Sequence, residues 1–113
     1  MLKFEKGMVL KVDWVDAARD DLNSELEYVF NEFGSSVAEG AFQKVLKNIE
    51  KLRSFPKMGK SYEDIQYHGN VIRSFSMRTI SIIYCQQNDC LMIVALWNNR
   101  RDDSKLADVI AAR

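Results

Sequence analysis

"DAARDDLNSELEYVFNEFGSSVAEGAFQKVLKNIEKLRSFP", residues Asp16 to Pro56, decides the fold, because two helical stripes meet in it across Gly34. Ala18, Leu22, Leu26, Val29 and Phe33 recur at steps of four, four, three and four, which places them on one side of a helix that Asp16 can cap. Gly34 can end that helix with a left-handed residue, a conformation glycine adopts without strain. Ser36 with Glu39 three residues on reads as a capping box. Behind it Ala38, Phe42, Val45, Ile49 and Leu52 repeat at helical spacing until Pro56 forbids continuation. A connection of about two residues leaves the helices no choice but an antiparallel hairpin.

Outward from this hairpin the period changes to two. Met8, Leu10, Val12 and Trp14 alternate with Val9, Lys11 and Asp13, which predicts a first strand over Met8 to Trp14. On the other side, Lys57 to Asn70 is polar, contains Gly59 and Gly69 and holds no period, so it reads as a connecting loop with at most one short extended piece. Three strands follow: Val71 to Ser76, the β-branched and aromatic Thr79 to Gln86, and Leu91 to Trp97, which is apolar on both faces as a central strand is. Gln87, Asn88 and Asp89 supply the turn between the last two. Leu106, Val109 and Ile110 predict a short terminal helix over Ser104 to Ala112. The order is β-α-α-β-β-β-(α), an α+β domain in which a helical hairpin packs on a small, mainly antiparallel sheet. One domain spanning residues 1–113 is expected.

Sixteen basic and sixteen acidic residues cancel, so no chain-wide field draws this chain to nucleic acid or to an anionic membrane. The charge is segregated, however. Asp13 to Glu39 holds eight acids against Arg19, a local −7, while Lys44 to Lys60 holds six bases against Glu50, a local +5. The expectation is two solvated helix faces that attract each other. No run approaches a membrane span, and MLKFEKGMVL lacks the apolar core of a signal peptide, so a cytoplasmic protein is expected. Cys85 and Cys90 flank the last hairpin turn and are expected to stay free thiols in a reducing compartment. One histidine and two separated cysteines make no zinc-ligand spacing, and no metal or cofactor is expected.

"VDWVDAARDDL" (Val12 to Leu22), "LRSFPKMGK" (Leu52 to Lys60), "VIRSF" with "TISIIY" (Val71 to Phe75, Thr79 to Tyr84) and "MIVALWNNRRD" (Met92 to Asp102) stand in an order that resembles the RelE/ParE superfamily of bacterial type II toxins, which includes plasmid-stabilisation proteins. The resemblance runs from Met8 to about Arg101. It rests on an aromatic after the first strand, Ala and Leu one turn apart, Pro and Gly in the mid-chain segment, an Arg and then a Tyr on successive strands, and a basic end to the last strand. It implies a toxin encoded with an antitoxin that wraps and neutralises it, present as a homodimer or as a hetero-oligomer with that antitoxin. RelE-type members cut messenger RNA on the ribosome; ParE-type members inhibit DNA gyrase without a known hydrolytic site.

Cutting RNA requires an activated 2′-hydroxyl, charge stabilisation on the phosphate and a proton for the leaving oxygen. If the chain is RelE-type, the resemblance places Arg73, Arg78, Arg100, Arg101 and Tyr84 in that machinery, with the arginines on the phosphate. Arg100 and Arg101 leave the last strand near where Arg73 or Arg78 could converge. Against this, Tyr84 is in phase with Ile80 and Ile82, as a core tyrosine is. Asp102 and Asp103 can cap the terminal helix and neutralise the arginine pair, which alternatively forms an ion pair with the acidic first helix. His68 in its polar loop, and Lys57 and Lys60 flanking a flexible Gly59, are weaker candidates. Neutral net charge and the absence of an acid/base set favour a ParE-like gyrase inhibitor. The alternatives are a ribosome-dependent endoribonuclease and an inactive homologue that only binds antitoxin. In each case an apolar groove between hairpin and sheet is expected to receive a partner segment.

Overall fold

A computed structural model describes residues 9–113; Met8, placed on the first strand by its period, lies outside them. Strand β1 (Lys11–Trp14) leads into α1 (Asp16–Phe33) and α2 (Ser35–Ser54). A 3₁₀ turn (Pro56–Met58) follows, then β2 (Lys60–Tyr67), β3 (Asn70–Ser76), β4 (Ile80–Gln87), β5 (Cys90–Asn98), a second 3₁₀ turn (Asp103–Lys105) and α3 (Leu106–Ala111). The strands form one sheet in the order β1-β5-β4-β3-β2, antiparallel except for the β1 and β5 pair. The α+β architecture and the hairpin on the sheet are as the sequence predicts. Among the described residues, no helix is long and apolar enough to cross a membrane.

One element differs. Lys60–Tyr67, expected as loop, is an eight-residue edge strand. Its register with β3 slips between Tyr62 and Gln66, and such a bulge inserts a residue and breaks the alternation that identifies a strand. The apolar residues that face α3, Tyr62, Ile65 and Tyr67, therefore stand three and two apart. His68 and Gly69 close the β2–β3 hairpin with φ of 49° and 82°, the positive pair that a tight two-residue turn demands.

Gly34 alone joins the two helices, with φ 94° and ψ 173°. That is not the left-handed helical conformation expected but an extended, positive-φ one that is essentially confined to glycine. Neither expected cap forms: α1 begins after Val15 and α2 after Gly34, both without a side-chain cap bond. Glu39 instead accepts from Gln43 Nε2 at 2.9 Å. No ion pair links α1 to α2 among the described residues, so the opposite charges of the two helices meet in no direct contact.

The sheet is covered on both faces. On one side Ala18, Val45, Ile49 and Leu52 of the hairpin pack on Ile80, Ile82, Tyr84, Leu91, Ile93 and Leu96. On the other, Leu106 and Ile110 of α3 pack on Ile72, Ile83, Cys85, Val94 and Trp97. A bulge opposite Ile83 and Tyr84 leaves Val94 without a partner on β4, which is why Val94 and Ala95, adjacent in sequence, share the α3 face. Central β5 is buried from Ile93 to Trp97. The hairpin outruns its support: no residue from Asn23 to Lys44 is buried.

Candidate functional site

Arg73 and Tyr84 are register partners on β3 and β4, and their side chains share the hairpin face of the sheet. There they grip the turn that Pro56 begins. The Tyr84 hydroxyl donates to Pro56 O at 2.7 Å and accepts from the Gly59 N–H at 2.9 Å. Arg73 Nη1 donates to Gly59 O at 2.7 Å and to Lys57 O at 3.2 Å. Tyr84 is fully buried, and that burial holds its phenol above the ordinary value against the opposing pull of the Gly59 N–H and Arg73. Gly59, far from a flexible hinge between two lysines, is itself buried: a Cβ there would stand 2.6 Å from Tyr84 Oη and 2.9 Å from Ser74 O. The geometry thus uses Arg73 and Tyr84 to hold the chain. Lys57 and Lys60 are exposed, the latter 5.4 Å from the Tyr62 ring centroid.

Arg78, Arg100 and Arg101 stand on two segments that are tied together at one end of the sheet. Arg78 sits in the β3–β4 turn, where Asn99 N–H donates to Thr79 O at 2.8 Å, so the turn and the end of β5 are tied. A turn at Asn98 projects the two following arginines: Arg100 N–H donates to Asn98 Oδ1 and Arg101 N–H to Asn98 O, both at 2.9 Å. The Arg101 guanidinium lies 4.1 Å over the Trp97 ring, an arrangement that fixes the cation while leaving its edge free. Trp97 is buried with its indole N–H unpartnered among the described residues. Asp102 accepts from the Ser104 N–H at 3.0 Å, capping the second 3₁₀ turn, and bonds from Ser104 hold its carboxyl below the usual range.

The expected ion pair between Arg100 or Arg101 and the acidic first helix is not formed; neither arginine pairs with a carboxylate among the described residues. That place belongs to Arg113, whose Nη1 and Nη2 meet Asp21 Oδ2 and Oδ1 at 2.6 and 3.0 Å. The same Nη1 donates to Val94 O, and the Leu96 N–H donates to Asp21 Oδ2. A bidentate pair spanning 92 residues leaves no local signal in a sequence. Asp21, which lines a concavity with Arg100 and Arg101, is thereby committed to Arg113.

Two concavities flank the arginines. One of about 320 Å³ is lined by Asp21, Glu25, Tyr28, Leu96, Arg100 and Arg101. The other, about 540 Å³, runs between the unsupported hairpin and the β3–β4 turn, with Leu22, Leu26, Val37 and Ala41 above and Phe75 and Met77 below; Lys44 and Arg78 stand in its wall. Glu25 and Ile80 line both, so the two are continuous. This is the groove expected between hairpin and sheet. His68 lies in the β2–β3 turn at the far end of β3, remote from these cations. Cys85 and Cys90 are free; they are not register partners, Cys85 standing opposite Met92 and Cys90 opposite Gln87.

A family model described as "ParE toxin of type II toxin-antitoxin system, parDE" matches residues 12–103. Among solved structures, the fold is similar to a chain of the "Chromosomal ParDE TA system from P. aeruginosa", with a TM-score of 0.65 and 15% identity over 80% of this chain and 97% of that one. A search of curated proteins finds no match.

Proposed function

Since the chain belongs to the ParE toxin family of type II toxin–antitoxin systems, we propose that it arrests growth by binding DNA gyrase and is silenced by an antitoxin segment seated in the groove beneath the hairpin. One observation carries the choice of a binding toxin over an RNA-cutting one. The five residues that a cut would need are divided: Arg73 and Tyr84 are committed to the Pro56–Gly59 turn, while Arg78, Arg100 and Arg101 stand at the sheet's end. Arg73 lies within β3 and Arg78 in the turn beyond the strand's end, so the strand remaining after Arg73 alone spans roughly 10 Å. The free cations can hold an anionic surface, but the histidine that could move a proton is at the opposite end of β3.

In this reading the exposed side chains of Arg78, Arg100 and Arg101 form the contact with the target, and Arg101 is the one whose guanidinium rests on an aromatic ring, that of Trp97. Arginine beside a large aromatic is the composition found at energetic centres of protein interfaces. The groove, apolar with Lys44 and Arg78 against Glu25 in its wall, suits an amphipathic segment carrying acidic residues.

Induction of the chain without its antitoxin should halt thymidine incorporation before methionine incorporation, and purified chain should inhibit gyrase supercoiling. Replacing Arg100 and Arg101 with Ala should abolish both effects in a chain that still folds. Undiminished arrest by that variant removes the two arginines from the mechanism. Messages cut at fixed positions during translation would replace the gyrase reading with the ribonuclease one, and harmless overproduction of folded chain would leave only an antitoxin-binding module.

A further inference from the structure

The tip of the helical hairpin and the groove beneath it are chemically matched. Glu27 to Glu39 contains three acids, Glu27, Glu32 and Glu39, and no base. It also carries Tyr28, Phe30, Phe33 and Val37 at 45%, 55%, 62% and 50% exposure, four of the eight large hydrophobic side chains exposed among the described residues. Exposed apolar side chains clustered in this way mark an interaction surface rather than ordinary scatter. The groove is the net opposite: apolar walls from Leu22, Leu26, Ala41, Phe75 and Met77, with Lys44 and Arg78 outnumbering Glu25.

The two cannot meet within one chain, because the tip is the continuation of the groove's own roof. They can meet between two chains. We propose that, without a partner, the protein forms a two-fold symmetric clasp in which the hairpin tip of each copy enters the groove of the other. A two-fold contact is self-complementary, so every tip-to-groove interaction is made twice. The aromatic side chains Phe30 and Phe33 enter the apolar channel, and the glutamates at the tip meet Lys44 and Arg78. Nothing in this depends on which target the toxin inhibits. If an antitoxin segment uses the same groove, it must displace the clasp to bind.

Charge exchange tests the clasp without relying on a variant that could simply misfold. The 113-residue chain, 13.1 kDa, should sediment at twice that mass at tens of micromolar. Two surface variants, Lys44→Glu with Arg78→Glu, and Glu27→Lys with Glu32→Lys, should each self-associate at least about tenfold more weakly, because tip and groove then repel. Mixed in equal amounts, they should recover the dimer, since the altered tip of one then faces the oppositely altered groove of the other, and the second tip and groove are both wild type. Phe30→Ser with Phe33→Ser should remove the dimer outright. A monomeric wild-type chain at these concentrations overturns the proposal. So does a dimer indifferent to both charge variants, or a mixture that fails to reassociate.

Discussion

Gly59→Ala adds one methyl group at a position where the backbone would accept it: φ is −78° and ψ 158°, which any residue adopts. On conformational entropy alone the substitution should stabilise the protein by about 0.4 to 1 kcal/mol, by restricting the unfolded chain. Space decides the sign instead. The methyl would lie 2.6 Å from Tyr84 Oη, 2.9 Å from Tyr84 Cε1 and 2.9 Å from Ser74 O, and none of these can yield freely. Tyr84 is enclosed in the hairpin-side core and tethered to Pro56; the Ser74 carbonyl is strand backbone. Overpacking costs about 1 to 3 kcal/mol, and displacing the hydroxyl forfeits two hydrogen bonds at about 1 kcal/mol each. The net expectation is a loss of about 2 to 4 kcal/mol, measured as a shift in urea midpoint at unchanged slope. Tyr84→Phe should itself cost about 1 to 3 kcal/mol by stranding the Gly59 N–H and the Pro56 carbonyl. In that background Gly59→Ala should cost about 1 to 2 kcal/mol less than alone, because the closest contact is gone. A Gly59→Ala loss below about 0.5 kcal/mol, or strictly additive losses, refutes a clamp built on that hydroxyl.

Two further perturbations read other parts of the chain. The Asp21 and Arg113 side chains are only 21% and 15% exposed, so Asp21→Ala or Arg113→Ala should each cost about 2 to 3 kcal/mol, with the double variant little worse than either single; additive losses would show that the pair is not one unit. Burial, assisted by Cys90, pushes the Cys85 thiol from 9.0 up to about 11. Its neutral form is therefore favoured in the fold. The resulting stability is complete below pH 9, where the unfolded thiol ionises, and is lost as pH climbs toward about 11, on the order of 2 to 3 kcal/mol in all. Denaturation across pH 8 to 11 should show this decline, and Cys85→Val should flatten it; an unchanged slope in that variant would assign the alkaline loss to other groups, with Tyr84 next in line.

The parts of this fold that a sequence reveals are those whose partner is the neighbouring turn or strand face. Val45, Ile49 and Leu52 repeat at helical spacing because one face of α2 meets the sheet. Ile93 to Trp97 is unbroken in apolarity because β5 is covered on both faces. Strand β2 carries no legible period because its bulge shifts Ile65 out of alternation and Glu63 and Asp64 face water. The glycine at 59 looks like a hinge in sequence and is a contact point in space; only Tyr84, 25 positions later, distinguishes the two.

Arginine poses the same problem more sharply. Arg73, Arg78, Arg100, Arg101 and Arg113 are one residue type with one charge, and their partners give them different work. Arg73 spends its guanidinium on two carbonyls, and Arg113 on Asp21 and a third. Those commitments have a consequence for the rest. With Asp21 committed to Arg113 and the Pro56–Gly59 turn secured, Arg78, Arg100 and Arg101 pair with no carboxylate among the described residues, so the cations that remain can be given to a partner without loosening the fold. A target surface that meets them must therefore supply the anions, and substituting these three should alter binding far more than stability.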